Sequence, residues 1–535
     1  MFSSLTPDGF RFLLHRPHFT VLNRRGTHHP YHLGVDQDGN EVVGHVNFPQ
    51  GHLEIGEATP IYEVPNPFPF WGATYILGDS ALENSLEFRF RFAPVRDQGE
   101  GGEFDGYLLE GLRQGRISWD QVPRHIKLSL AQNCRDPQLL ASLARWVVEM
   151  ELDGEGRPVG LRYGRGGHGP PLPLKRDKDI YETVANNPAL PEEYRRVMVL
   201  NPGAQGSSPI VGEYRGGGTH VWEYLRANSY VPWGHFASNM AEDAIRYSGR
   251  ELTFEDIHGL RHLYYQRVYT QMALLLGLVS GEPGDRLPCL DQEGLEELRR
   301  AVAAEVERRR SRGEPIPLTG TLWGWNYGYD ISGSGYRLHA SHQQIHNQYA
   351  LIPSNSVVGD GPPPFMLGRV VAHLCREFRA RWDRPFFKTL LSAVDHNRRM
   401  DGREELPSSL VVREEDGVVI LVPKAQRSQG EVQVVVRERV GNILEAPPPV
   451  RRGLDRSLLL ALKGLVALGA EMVTFCEVSR PVEVEDDDQR LFYYLLPRHV
   501  HSPGSFSERQ QRWITGHFPE DFAEALRREL ARAGL

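Results

Sequence analysis

Apolar residues recur at helical spacing in several stretches of the chain. Thr253-Phe-Glu-Asp256 resembles a capping box and predicts the start of a helix that ends near Gly277. Residues 291–312 predict a second helix, with acidic side chains early and arginines late, as the helix dipole favours. We interpret this charged helix as a solvated insertion. The same periodicity predicts helices over residues 137–149, 458–468 and 521–532.

Alternating and β-branched runs between these helices predict strands. VVREEDGVVILVP at residues 411–423 contains an Asp-Gly turn signal, which is typical of a β-hairpin. The order of strands, helix and strand occurs twice after residue 200, so we predict an α+β fold. Further predicted strands are EFRFRF (87–92), SSPIVGEYR (207–215), NSYVPWGHFASNM (228–240), EVQVVV (431–436) and LFYYLLP (491–497).

Three regions are predicted along the chain. Residues 1–200 are rich in Gly, Pro and His and stay unassigned, with a loop at residues 164–179. Residues 201–361 form a first α+β half and residues 362–535 a second. Sequence identity between the two halves is weak, so their relation rests on the order of their elements.

The composition narrows the class of protein. No stretch of the 535 residues offers the roughly 20 consecutive apolar residues of a membrane helix, and the N-terminus shows no signal-peptide pattern, so we expect a cytoplasmic protein. The net charge of −8 argues against a nucleic-acid binder. The four cysteines are far apart, which argues against a zinc site built from adjacent cysteine pairs.

Polar residues alternate along one short segment late in the first half. Gln344, His346 and Gln348 share one face if the segment is a strand. Such a face is unusual for a core, where each unpaired polar group costs about 1–3 kcal/mol. A Gly-rich approach precedes the segment, and such loops present backbone N–H groups to phosphate. On this pattern alone His346 is either a catalytic residue or a hydrogen-bonded structural histidine.

The spacing Ser341-x-x-Gln344-x-His346-x-Gln348 resembles the S-x-x-H-x-H-x-Q signature of galactose-1-phosphate uridylyltransferases and diadenosine tetraphosphate phosphorylases, in the histidine-triad superfamily. The resemblance implies that His346 attacks the α-phosphorus of a nucleotide and carries the nucleoside monophosphate covalently. It also implies that Gln348 hydrogen-bonds the phosphoryl oxygens and that Ser341 contacts the departing phosphate. A glutamine amide donates a hydrogen bond without transferring a proton, so Gln348 favours transfer or phosphorolysis over hydrolysis.

Other segments extend this resemblance. Asn326-x-Gly328 resembles the Asn-x-Gly that precedes the signature, and Asn228 to His235 with the following LTFEDIHGL resembles the first strand pair and helix of the same fold. The similarity is loose over residues 201–535 and sharp over about eight residues. It implies two histidine-triad-like halves, each with an antiparallel sheet and packed helices.

The implied function is ping-pong nucleotidyl transfer from a nucleotide or nucleotide sugar to phosphate or a sugar phosphate. Gln344 and the extra residues between Asn326 and Ser341 depart from the family pattern. The alternatives are therefore a hydrolase of nucleotide conjugates and a nucleotide-binding protein without catalysis. The expected partners are these small molecules, with neither nucleic acid nor membrane. Because the relatives are often dimers, a homodimer is the oligomeric state to consider.

No cofactor is expected to be required. The histidine that is a zinc ligand in some relatives corresponds to Gln344 in this chain, so that zinc is not predicted. His499 and His501 would share a strand face and are candidate ligands of a divalent metal. The alternative is a pair of surface histidines beside a loop.

Several further residues are candidate substrate contacts. Arg337 has the fork of donors that suits a phosphate, although a solvent-exposed arginine is the alternative. Lys424, one of only six lysines, lies where the second half could reach the substrate, with a surface role as the alternative. The other candidates, for which packing or a polar strand entry is the alternative, are Gln344, Asn326, His342 and His235.

Overall fold

The chain folds into helices and mostly antiparallel sheets, as a computed structural model shows, and the predicted α+β class is confirmed. Among the helices described, none combines the length and apolarity of a bilayer span. The structure describes residues 3–22, 32–43, 52–56, 59–87, 106–164, 172–185, 187, 189–199, 252–280, 290–316, 319–328, 345–352, 365–470, 472–484, 488–498, 507 and 509–535.

Short strands dominate the first part of the chain, and longer helices and strands follow it. The described helices are α1 (Gly78–Glu87), α2 (Gly106–Arg113), α3 (Arg124–Asn133), α4 (Pro137–Val147), α5 (Lys178–Ala185), α6 (Glu192–Val199), α7 (Phe254–Leu275), α8 (Gln292–Arg312), α9 (Leu367–Trp382), α10 (Phe386–Asp395), α11 (Pro448–Ala467) and α12 (Pro519–Arg532). The described strands are β1 (Leu5–Thr6), β2 (Gly9–Phe10), β3 (Leu13–His15), β4 (Phe19–Val21), β5 (His32–Val35), β6 (Glu41–Val43), β7 (Leu53–Ile55), β8 (Ile61–Pro65), β9 (Ala73–Leu77), β10 (Met150–Leu152), β11 (Pro158–Leu161), β12 (Tyr163–Gly164), β13 (Leu172–Pro173), β14 (Gly320–Gly328), β15 (Ile345–Ile352), β16 (Val411–Glu415), β17 (Val418–Leu421), β18 (Val432–Val436), β19 (Met472–Val478), β20 (Phe492–Arg498) and β21 (Arg512–Thr515).

The central element is a seven-stranded antiparallel sheet in the order β15-β14-β19-β20-β18-β17-β16. Its hairpin β16–β17 turns at Asp416 and Gly417, whose φ angles of 50° and 73° suit the Asp-Gly pair. The sheet contains strands from both sides of residue 361, so the two sequence regions share it. The division into two histidine-triad-like halves stays a prediction.

One face of this sheet packs on α7, α11 and α12, and α8 packs on α7. Trp323, Trp325 and Tyr327 alternate along β14 and lie buried in this core. Apolar side chains of α8 are part of the same core. Glu296 of α8 forms an ion pair with Arg451 of α11 at 3.1 Å. The interpretation of this helix as a solvated insertion is therefore wrong, because its apolar residues Leu295, Val302 and Val306 are buried against α7 in this core.

The other face of β16, β17, β18 and β20 is covered by α9, α10 and residues near the N-terminus. Phe68 stacks on Phe492 at 5.3 Å between ring centroids and contacts Phe386 at the same centroid distance. β17 is consequently buried on both faces, which explains its unbroken apolar sequence. The N-terminal region also pairs with the C-terminus, because β21 lies parallel to β9 in a sheet of order β21-β9-β8-β3.

Residues 106–199 have a hydrophobic core of their own, built mainly from two helix–turn–helix pairs, α3–α4 and α5–α6. The pairs repeat at a spacing of 54 residues: Ile126, Ala131, Asn133 and Pro137 match Ile180, Ala185, Asn187 and Pro191. Asn187 of the second pair donates to Ala131 O and Cys134 O at 2.8 and 2.9 Å, closing the end of α3. These are two copies of one helical repeat.

Most of the helices predicted from periodicity are confirmed. α4, α7, α8 and α12 match the predicted spans within a few residues, whereas α11 begins ten residues before the predicted start at residue 458. The hairpin at residues 411–423 and the strands at 431–436 and 491–497 are also confirmed. The strands predicted at residues 207–215 and 228–240, and residues 88–92 of the strand predicted at 87–92, lie outside the described residues; Glu87 ends α1.

Candidate functional site

β14 and β15 bring two of the predicted site residues together. The ladder pairs Asn326 with His346 and Gly324 with Gln348. Directly paired positions of an antiparallel ladder belong to the same face of the sheet. Asn326 is half-buried, whereas its neighbours Trp325 and Tyr327 are buried against the helices. The pair 326–346 therefore belongs to the sheet face that points away from the helical core.

β19 continues these rows on the other side of β14. Thr474 pairs with Asn326, and Cys476 pairs with Gly324. Both are half-buried, as is Asn326. Positions 348, 324 and 476 lie side by side on three neighbouring strands. Because Gly324, the middle one, has no side chain, there is a gap above its backbone. The face thus offers a polar, partly open surface around the middle of β14.

Burial raises the pKa of the Cys476 thiol, which keeps it protonated at neutral pH. A protonated thiol is a poor nucleophile. Burial likewise raises the pKa of the neighbouring Tyr494 hydroxyl.

A buried arginine borders this surface. The guanidinium of Arg427 lies 3.7 Å from the ring centroid of Trp71 and 4.0 Å from that of Tyr494. Its Nη2 donates to Glu431 Oε1 at 2.7 Å, and its backbone N–H donates to Glu431 Oε2 at 2.7 Å. Trp71 comes from the N-terminal region, so that region helps to form the border of the site.

A charged cluster lies directly beneath the surface, on the helical side of the sheet. Arg261 of α7 is fully buried and binds Asp455 at 3.3 Å and Glu477 at 3.6 Å. Tyr264 donates its hydroxyl proton to Glu477 at 2.7 Å, and the Arg261 guanidinium lies 4.5 Å from the ring centroid of Trp323. Burial raises the pKa of Glu477, and the charge of Arg261 opposes that shift. The cluster ties β14, β19 and β20 to α7 and α11.

Sequence reasoning did not find this cluster. Arg261, Asp455 and Glu477 lie far apart in the sequence, and no motif links them. The available signal was positional: Arg261 follows Leu260 on the apolar face of α7, and Glu477 interrupts the run MVTFCEV.

Lys424 lies in the interior and not on the open surface. Its Nζ donates to Arg398 O at 2.8 Å and to Glu520 Oε1 at 2.5 Å, and the residue is only 2% exposed. This ion pair fixes the start of α12 against the loop that follows β17. Its proposed contact with substrate stays a prediction.

The remaining predicted site residues lie outside the described residues. For His346 and Gln348 the strand placement and register are described, and no more. Within the described ranges, no group of three or more His, Cys, Asp or Glu side chains is arranged to hold a metal ion. The residues outside are Ser341, Gln344, Arg337, His342, His235, His499 and His501.

No protein-family model and no curated protein sequence matches the chain. Among solved structures, a GalT-like protein from Arabidopsis thaliana aligns at 16% identity and TM-score 0.30, over 44% of this chain and 69% of that one. An ADP-glucose phosphorylase from Arabidopsis thaliana with bound ADP-glucose has the same identity and TM-score, over 44% and 66%. A uridylyltransferase aligns at 14% identity and TM-score 0.30, over 45% and 69%. Likeness at this level leaves function to be argued from the chain's own residues.

Proposed function

We propose that the chain transfers a nucleoside monophosphate through a covalent nucleotidyl-His346 to phosphate or a sugar phosphate. The observation that carries the proposal is the ladder between β14 and β15. It pairs His346 of the S-x-x-Q-x-H-x-Q motif with Asn326, on the face that points away from the helical core.

The reaction runs in two balanced steps. In the first, a neutral imidazole nitrogen of His346 attacks the α-phosphorus; a P–N bond forms, the P–O bond to the leaving group breaks, and that group departs with the electron pair. In the second, an oxygen of phosphate or a sugar phosphate attacks the same phosphorus, and the P–N bond breaks. Retention of configuration at phosphorus follows from the two displacements.

The surroundings of position 346 support this chemistry. Asn326 contributes an amide that can donate to a phosphoryl oxygen, and Gln348 contributes another in the proposed role. Gly324 leaves room between positions 348 and 476 for a group that approaches the sheet closely. Ser341 is proposed to contact the departing phosphate.

The test is the mass of the intact protein after incubation with nucleotide sugars, dinucleoside polyphosphates and nucleoside triphosphates. The expected result is a gain of one nucleoside monophosphate that phosphate or a sugar phosphate reverses. His346→Ala should abolish the gain, whereas His396→Ala, a variant of an exposed histidine at the end of α10, should retain it.

Each other outcome rejects the proposal in a distinct way. Steady hydrolysis of a donor without any acceptor would favour a hydrolase. Nucleotide binding without a covalent adduct would favour a binding protein. An adduct that survives in His346→Ala would place the nucleophile elsewhere in the chain.

A further inference from the structure

Three polar side chains recur at a spacing of four residues along α7 and hold the start of α8. They are His258, His262 and Gln266, and this spacing places them on one side of the helix. His262 Nε2 lies 2.9 Å from Leu290 O, and Leu290 N donates to Gln266 Oε1 at 3.3 Å. Side chains of α7 thus bind the backbone of the segment that enters α8.

Gln292, the first residue of α8, contacts both histidines with one atom. Its amide nitrogen Nε2 lies 2.8 Å from His258 Nε2 and 2.9 Å from His262 Nδ1. An amide nitrogen carries two hydrogens, so it can donate one to each ring. The ring nitrogens that face Gln292 are therefore acceptors, and a protonated ring nitrogen cannot accept.

The other nitrogen of each ring carries the hydrogen of that ring. His258 Nδ1 lies 2.8 Å from Asp455 Oδ2, in a carboxylate that also binds Arg261. His262 Nε2 faces the backbone carbonyl of Leu290, which can only accept a hydrogen bond. Because the hydrogens lie at those positions and the lone pairs face α8, both imidazoles are neutral in this arrangement.

The carboxylates that face the histidines are already paired with arginines. Asp455 of α11 binds Arg261 of α7 at 3.3 Å, and Glu296 of α8 binds Arg451 of α11 at 3.1 Å. Protonation of the two rings would add two positive charges beside these two arginines. Charge of the same sign at short range disfavours the protonated form of a histidine.

His258 is the ring that solvent reaches. Its side chain is 14% exposed, whereas His262 is fully buried. His258 stacks on Phe254 at 5.2 Å between ring centroids, and the guanidinium of Arg456 lies 5.7 Å from the centroid of Phe254. Burial lowers the pKa of His262 to about 4, and the charges of His258 and Arg451 act in the same direction. The folded chain thus favours a neutral His262.

We propose that His258, His262 and Gln292 form an acid-sensitive latch, which holds the first turn of α8 on α7 and releases it when the rings take up protons. A proton on a nitrogen that faces Gln292 sets an N–H against an N–H of the amide, so that hydrogen bond is lost. Release of the turn lets water solvate the charged rings. The proposal concerns the stability of α8 and does not rest on a role for His346.

Hydrogen exchange, followed by mass spectrometry of peptides, measures the opening of α8. The pKa of His262 is about 4 in the closed state and returns toward 6.5 in the open state. The latch is therefore fully closed above pH 6.5 and loses stability as the pH falls toward 4. Opening should be about 30-fold more frequent at about pH 5 than at about pH 7.5, after correction for the intrinsic effect of pH on exchange.

A peptide from β18 reports global unfolding in the same experiment, because all five residues of this strand are buried. The acid-induced rise in exchange at the first turn of α8 should exceed any rise in β18. Equal rises in the two peptides would mean that the whole chain unfolds in acid, and this outcome overturns the proposal.

Two variants test the hydrogen-bond logic of the latch. Gln292→Glu should reverse the pH dependence, because a carboxylate accepts from protonated rings and binds them more strongly in acid. His262→Gln should remove most of the pH dependence, because an amide can make both hydrogen bonds without titrating in this range. Gln138→Glu, at an exposed position in the first turn of α4, is the matched control and should behave as the wild type.

The proposal is overturned if exchange at the first turn of α8 in the wild type does not change with pH. It is also overturned if Gln292→Glu opens in acid as the wild type does. Should His262→Gln fail to fold, the reversal in Gln292→Glu still decides, since position 292 is exposed and tolerates a polar change. Covalent labelling of His346 is a separate measurement, so the failure of one proposal leaves the other standing.

Discussion

Tyr493 on β20 lies directly opposite Glu477 on β19 and donates its hydroxyl proton to Glu477 Oε2 at 2.5 Å. The same carboxylate accepts a hydrogen bond from the Tyr264 hydroxyl and lies beside the buried guanidinium of Arg261. Cys476 precedes Glu477 on β19, and Tyr494 follows Tyr493 on β20. These two neighbours pair with each other on the opposite face of the sheet, at the border of the proposed site. The pair β19–β20 thus carries the buried charge cluster on one face and the border of the proposed site on the other.

Glu477→Gln should lower the free energy of unfolding by about 3–5 kcal/mol, because it removes one partner of a buried arginine. Tyr493→Phe should cost less, about 1–3 kcal/mol, because it removes a neutral donor from the carboxylate. Urea unfolding measures both, with the exposed Glu438→Gln as the control. A loss below about 1 kcal/mol for Glu477→Gln would mean that Arg261 is satisfied without it.

Gly324→Ala should fold normally, since a Cβ there would meet its nearest atom, Phe475 O, at 3.4 Å. Gly324→Leu should also fold but should slow or abolish adduct formation, because its side chain fills the gap between positions 348 and 476. Mass spectrometry of the adduct measures the effect. Gly154→Leu, in an open turn with no atom within 4 Å of the added Cβ, controls for a general effect of the substitution. Wild-type labelling by Gly324→Leu would exclude this part of the sheet from the site.

Lys424→Met should destabilise the fold by about 3–5 kcal/mol, because Glu520 would stay buried without its partner. The double variant Lys424→Met/Glu520→Met should recover much of that loss, since apolar residues of similar volume replace the ion pair. Thermal unfolding reports stability, and adduct formation reports function. If the double variant is stable but fails to bind nucleotide, Lys424 contacts substrate as the sequence predicted.

Asn187→Ala should lower the free energy of unfolding by about 1–3 kcal/mol, because Ala131 O, in a buried hydrogen bond, and Cys134 O, in a partly buried one, lose their donor. Asn133→Ala is the matched control, since Asn133 holds the equivalent position of the first repeat but is exposed. Its effect should stay within about 0.5 kcal/mol. Equal effects of the two changes would contradict the role of Asn187 as the link between the repeats.

Acidification should weaken the fold through His517. Burial lowers the pKa of His517 to about 3, so the folded state keeps it neutral while the unfolded state takes up a proton below pH 6.5. The contribution of His517 to the free energy of unfolding is fully present above pH 6.5 and decreases as the pH falls toward 3. From pH 7.5 to 5.5 the loss should be about 1.4 kcal/mol. In urea unfolding, the free energy of unfolding of His517→Gln should depend less on pH than that of the wild type. If the pH dependence is unchanged, groups other than His517 cause the loss of stability in acid.

Secondary structure was predicted best where a single local sequence pattern was sufficient to specify it. The Asp416-Gly417 turn specified its hairpin, and the apolar stripe of α7 specified its buried face. α11 begins ten residues before its predicted start, because its first turns carry Arg451 and Asp455, which are buried against partners far away in the chain. Helices α9 and α10 were not predicted, although their apolar residues recur at helical spacing.

The N-terminal region resisted prediction for two different reasons. The repeat of α3–α4 in α5–α6 is visible once Ile126 is aligned with Ile180, but its matching residues are too few to stand out from the sequence alone. The described residues between positions 12 and 55 gave no such signal, since many of their apolar side chains are exposed and a pattern of burial does not mark them. At the candidate site, the sequence indicated His346, but not its cross-strand pairing with Asn326 or the cluster beneath.

The parallel pairing of β21 with β9 bears on how the chain is made. Arg512 Nη1 donates to Tyr75 across 437 residues of sequence, and Thr74 and Ser85 likewise bond residues beyond position 425. At about 5–20 residues per second, a ribosome needs roughly 20–90 s to supply the partner of β9 after β9 itself emerges. The segment that is translated first therefore completes its sheet last, and until then the edge of β9 that faces β21 stays without this partner strand.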